Sequence, residues 1–69
     1  MNLQPHQLRV IEEETELNSR LNKIKMFIGT PLYLSTGLNE QVRLCEQLAH
    51  MKGYSEVLAR RITAFVNPE

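Results

Sequence analysis

The segment LCEQLAHMKGYSEVLARRITAF, residues 44–65, decides the fold. Leu44, Leu48, Met51, Ser55, Leu58, Ile62 and Phe65 step along it by 4, 3, 4, 3, 4 and 3. Seven positions in register over three heptads form a helical seam near the 3.5 period of packed helices. The spacing predicts a helix over about residues 39–65. Asn39 is a good N-cap, and Glu40 in the first turn suits the helix dipole, as do Arg60 and Arg61 near the end. Asn67-Pro68 closes it. Gly53 is the awkward residue, since glycine costs about 1 kcal/mol against alanine in a helix interior. It reads either as a close approach by a neighbouring helix or as a tolerated weakness.

Upstream, Val10, Leu17, Leu21, Ile24 and Ile28 step by 7, 4, 3 and 4, which predicts a second amphipathic helix over about residues 5–28. Pro5 suits its first turn, with Gln4 as a poor N-cap. Gly29 is expected as a left-handed C-terminal cap, and Thr30-Pro31 blocks continuation. Residues 29–38 form the connection. Leu32, Tyr33, Leu34 and Leu38 make that loop apolar. They are expected to fold over the adjacent end of the helix pair as a plug, with a partner-binding tip as the alternative.

So short a connection makes the helices antiparallel neighbours. The expected fold is all-α: one domain over residues 1–69, a two-helix hairpin with an apolar proline/glycine loop. An in-register hairpin places Ile28 against Leu44, Leu21 against Met51, Leu17 against Ser55 and Val10 against Ile62. Glu14 then falls on the seam, where a register-setting polar residue paired with Ser55, Arg60 or Arg61 is expected.

One stripe per helix does not use all the apolar residues. Val42, Cys45 and Ala49 form a second line on the second helix, with Tyr54 and Val57 further along. Leu8, Ile11 and Phe27 lie off the seam of the first. An elongated pair of helices buries too little apolar surface for its length. Self-association into an oligomeric helical bundle, a dimer or larger, is therefore expected. Ile11, Phe27, Val42, Cys45, Ala49 and Val57 would form its interface.

Composition narrows the chemistry. Eight Lys+Arg balance eight Asp+Glu over 69 residues, so no basic excess marks a nucleic-acid surface. A single cysteine excludes an internal disulfide and any multi-cysteine zinc site. His6 and His50 are too few and too far apart for a metal centre. Cys45 and His50, five residues apart on one helix, face different directions and make no nucleophile–base pair. No catalytic residue, metal or cofactor is expected, and the chain is not read as an enzyme. The start Met-Asn-Leu-Gln-Pro-His has neither a basic n-region nor an apolar h-region, and no apolar run spans a membrane. A cytoplasmic protein is expected. For an anionic ligand the candidates are Arg9, Lys52, Tyr54, Arg60 and Arg61, because cationic groups bind phosphate and tyrosine stacks on bases. The plainer alternative is a solvated face on which these cations meet Glu12, Glu13, Glu16 and Glu56.

The strings HQLRVIEE (residues 6–13), Glu16-Leu17, KMFIGTP (residues 25–31) and LAHMKGYSEVLARRI (residues 48–62) resemble a family of small bacteriophage-encoded proteins related to a protein of a gut crAss-like phage. The layout is similar, more loosely, to the helical hairpins by which phages sequester cyclic oligonucleotide immune signals. Those proteins hold ligands between subunits. The Met-Trp pair of their second helix is absent here, where there is no tryptophan. The resemblance implies a non-catalytic phage accessory protein in the host cytoplasm, binding a cyclic nucleotide at an inter-subunit surface. The alternative is an interaction module that inhibits a host protein or pairs with a phage partner.

Overall fold

The computed structural model describes residues 2–67. Three helices make up the fold: α1 (Pro5–Ile28), α2 (Pro31–Leu34) and α3 (Leu38–Val66). No strand occurs among the described residues. Pro5 and Pro31 each stand at the start of a helix, where a missing N–H costs nothing. At the start of α1 the Gln7 side chain accepts the Gln4 backbone N–H at 2.8 Å, one arm of a capping box. α3 ends at Val66, before Asn67; Pro68, read as part of the stop signal, lies outside the described residues.

The connection holds α2, a single helical turn. Gly29 has φ −79° and ψ 2°, so it is not a left-handed cap. Its N–H instead donates to the Lys25 and Met26 carbonyls, and the Thr30 hydroxyl donates to the Phe27 carbonyl at 2.6 Å. These bonds close α1 without a chain reversal at Gly29. The reversal is delayed to Gly37, whose φ of 93° a residue with a side chain rarely adopts. Gly37, and not Asn39, is the N-cap of α3, and its carbonyl accepts the Gln41 N–H at 3.0 Å. The Gln41 side chain donates to the Leu34 carbonyl at 3.2 Å, tying α2 to α3.

α1 and α3 lie side by side and run in opposite directions. Val10, Leu17, Leu21 and Leu58 are buried, Leu58 completely. Val10, Leu17 and Leu58 form the centre of the core, with Met51, Ile62 and Phe65 packed against it. All seven positions of the 44–65 seam are buried or half-buried. At ~25 cal/mol per Å² of apolar surface removed from water, a stripe of this kind is the main stabilising term.

A polar chain crosses the seam. The Ser55 hydroxyl donates to the Asn18 side-chain oxygen at 2.8 Å, and the Asn18 amide donates to the Glu14 carboxylate. Glu14 therefore pairs with Asn18, not directly with Ser55, Arg60 or Arg61. The reason is geometric: Asn18 is one turn from Glu14 and occupies the space that would separate Glu14 from Ser55.

The plug expected at the loop does not form. Only Tyr33 turns inward, where its ring meets Phe27 edge-on with centroids 6.1 Å apart. Leu32, Leu34 and Leu38 project outward, Leu34 and Leu38 at 70% and 74% exposure. α2 is a single helical turn, so three consecutive side chains cannot all face one core.

The resulting molecule is a rod of 48 × 17 × 15 Å with a radius of gyration of 15.5 Å. A compact chain of this length would have about 11 Å. Its accessible surface is 5308 Å², whereas a compact monomer of this mass exposes about 4,450 Å².

Candidate functional site

The surface of the rod divides into two grooves of opposite chemistry. The first lies at the tip, along the outer face of α3, lined by Tyr33, Leu38, Gln41, Val42, Cys45, Glu46 and Ala49. Its volume is about 440 Å³. Leu38, Val42, Cys45 and Ala49 recur at helical spacing on the side of α3 turned away from the core. Among the described residues this face is left exposed apart from Tyr33, and a Cβ added at Gly53, one turn further along, would have nothing within 4 Å. The close-approach reading of Gly53 therefore finds no neighbouring helix within the chain.

Tyr33 anchors the floor of this groove. Its hydroxyl lies 3.2 Å from the Gln41 carbonyl and 3.4 Å from the Cys45 sulfur. The bond with Cys45 pushes the Tyr33 phenol above its usual range, and desolvation adds in the same direction. Of the expected interface residues, Val42, Cys45, Ala49 and Val57 are exposed. Ile11 and Phe27 are half-buried, and Phe27 already has Tyr33 as a partner in its own chain.

The second groove runs along the α1–α3 seam at mid-rod and is polar. It has a volume of about 480 Å³ and is lined by Asn18, Leu21, Asn22, Lys25, Lys52, Ser55 and Glu56. Its floor is the Asn18–Ser55 bond. Lysines rise on both walls, Lys25 from α1 and Lys52 from α3. Among the described residues one ion pair forms, Arg43 with Glu40. The expected lacing of lysines and arginines with glutamates is therefore absent from the groove, and both ammonium groups have no carboxylate within ion-pair distance.

The five candidate ligand residues are all exposed. Lys52 lines the polar groove, and Arg60 lines a shallow depression with Ala59, Thr63, Ala64 and Asn67. At ~100° per residue, Lys52 and Arg60 lie about 80° apart around α3, with Tyr54 and Arg61 together on the side away from Lys52. Arg9 stands on α1. One chain does not bring the five into a single cluster. Arg9, Arg60 and Arg61 stand toward the end of the rod away from the tip groove, and none of the five lines that groove.

Asn18, Asn22 and Lys25 were not singled out by sequence reasoning. A signal for them exists: Glu14, Asn18, Asn22 and Lys25 step by 4, 4 and 3, a polar stripe parallel to the apolar seam. Among the described residues no group of three His, Cys, Asp or Glu side chains could hold a metal ion, and no helix is long and apolar enough to cross a membrane.

Comparison with known proteins gives a consistent picture. The family model described as Sequestin matches residues 4–64. An uncharacterized 7.5 kDa protein in the denB-rIIB intergenic region of Enterobacteria phage T4 is 35% identical over 60 residues, covering 87% of this chain and 94% of the relative. No solved structure matches the chain.

Proposed function

The chain belongs to the Sequestin family, a family of small phage-encoded proteins, and on that premise we propose that it is a non-catalytic binding protein that sequesters a small anionic ligand, a cyclic nucleotide signal, at a surface built by two or more copies. The family description itself names an act of holding. The observation that carries the reading is the uncovered apolar face of α3, with Lys52 and Arg60 on either side of the line that continues it along the helix. Each chain exposes about 850 Å² more than a compact monomer of its mass. A standard interface removes about 800 Å² from each partner. Covering Leu38, Val42, Cys45 and Ala49 with a second copy would remove surface of that order and bring flanking cations from two chains to one rim. Arg9, Lys52, Tyr54, Arg60 and Arg61 are the ligand residues on this reading. The place of action is the host cytoplasm, and the role is to withhold a defence signal from its receptor.

Calorimetry with a panel of cyclic di- and trinucleotides tests it. Saturable heat with at least one member, abolished in Arg60→Ala/Arg61→Ala, is the expected result. No heat with any member contradicts the ligand class.

The outward leucines of α2 favour a second reading. Leu32, Leu34 and Leu38 at the tip offer an apolar contact for a host or phage protein. Leu32→Ser/Leu34→Ser would then abolish activity in the infected cell without altering nucleotide binding. Full activity of that variant contradicts this second reading.

A further inference from the structure

We infer that the polar groove on the α1–α3 seam is a binding site for the phosphate group of a small phosphorylated, hydroxyl-bearing molecule, held by Lys25 and Lys52. This rests on the reading of the chain as a binder of small anionic ligands, and assigns the task to side chains within one copy.

The donors and acceptors of the groove select its ligand. Lys25 and Lys52 each present three N–H donors and no acceptor. They stand on two different helices over one groove and, among the described residues, have no carboxylate within ion-pair distance. Between them, Asn18 gives one amide hydrogen to Glu14 and has another left, while its oxygen is occupied by Ser55. Asn22 adds a further amide. The groove is rich in donors and its two lysines outweigh the one carboxylate, Glu56, which suits an anion with several acceptor oxygens. A phosphate ester offers three such oxygens, and lysine binds it as a point charge. A carboxylate offers two.

Glu56 sets the other end. It lies in the same groove without pairing with either lysine. As an acceptor-only group it repels an anion and accepts from a hydroxyl or amine. The ligand is therefore polar at both ends: a phosphate towards the lysines and a hydroxyl-bearing body, such as a sugar, towards Glu56. A volume of about 480 Å³ falls within the usual range for small-molecule sites. The fixed part of the site is its floor, because the Glu14–Asn18–Ser55 chain holds both helices in register.

The experiment is an amide-resolved NMR titration of the 69-residue chain with ribose 5-phosphate, inorganic phosphate and ribose. The expected result is shifts clustered at Asn18, Asn22, Lys25, Lys52 and Ser55 with the two phosphates and none with ribose, ribose 5-phosphate binding the tighter. Lys25→Ala and Lys52→Ala each weaken binding at least about tenfold, the scale of one charge-assisted hydrogen bond. Lys23→Ala, on the opposite face of α1, leaves it unchanged. No shifts in the groove, or equal binding by Lys25→Ala/Lys52→Ala, overturns the inference. A parent chain that binds a cyclic nucleotide, with a Lys25→Ala variant that binds ribose 5-phosphate as the parent does, removes this site but leaves the proposed function standing. A parent chain that binds neither phosphates nor cyclic nucleotides removes both.

Discussion

The two faces of α3 are both apolar and meet different fates. The inner face, from Leu44 to Phe65, is covered by α1 and contains the fully buried Leu58. The outer face, with Leu38, Val42, Cys45 and Ala49, is exposed, and Cys45 on it meets Tyr33. Apolar periodicity declares which side of a helix seeks cover. It does not declare which element supplies it. The proposed association would supply that cover from a second copy.

Breaking the inner face has the largest expected effect. Leu58→Ala leaves a cavity at the one completely buried side chain and costs about 2–5 kcal/mol, enough to unfold a marginal small domain. Thermal denaturation followed by helix content would show a midpoint lower by many degrees. A shift of a degree or two would mean that α1 does not cover this face tightly.

The outer face responds differently. Val42→Glu places a charge on the uncovered strip. It is expected to lower the mass of the particle in solution and, with it, the helical signal. Unchanged mass would mean that copies meet elsewhere.

The polar chain joins the two helices at a more modest cost. Asn18→Ala removes its central member and is expected to cost about 1–3 kcal/mol, because Glu14 and Ser55 lose their partner where both are partly buried. Chemical denaturation measures it. Asn18→Ala as stable as the parent would mean that water replaces the amide fully.

Gly53→Ala gives a signed test of the same comparison. Within one chain the added methyl meets nothing within 4 Å, so an open outer face predicts a gain of about 1 kcal/mol from helix propensity. A second copy packed closely on Gly53 would turn that gain into a loss.

The smallest effect is electrostatic. Tyr33 holds its proton above the usual tyrosine value of 10.0, chiefly because of its hydrogen bond with Cys45. As the pH rises, an unfolded chain loses its phenol proton first. The Tyr33–Cys45 contribution is therefore intact below pH 10.0 and fades as the pH climbs through the raised value. Cys45→Ala in a Tyr54→Phe background should bring the phenolate absorbance transition down toward that of free tyrosine. An unmoved transition would remove Cys45 as the cause.

Much of the inner seam is readable in the sequence because a repeating step directly encodes one side of a helix. Leu58, Leu17 and Val10 are central in both readings. The outer strip of Val42, Cys45 and Ala49 was legible by the same logic, as apolar residues without a partner on the seam. The tip was not. A string such as Thr30-Pro31-Leu32-Tyr33-Leu34 shows that apolar side chains are present, but their direction depends on a single turn of helix and on Gly37, not on any repeat. The role of Asn18 was also hidden, since it depends on which residue of α3 lies opposite. That is set by the length of the α2 connection, which composition does not supply. Lys25 and Lys52 are distant in sequence and meet over one groove for the same reason.

The central claim is that one copy leaves a face of α3 that a second copy must cover. Sedimentation equilibrium of the parent chain over a wide concentration range tests it most directly. The account predicts a particle whose mass is a whole multiple of 8.0 kDa, dissociating on dilution with loss of helix. A stably folded 8.0 kDa species at every concentration, with the outer leucines and valines in water, would contradict it.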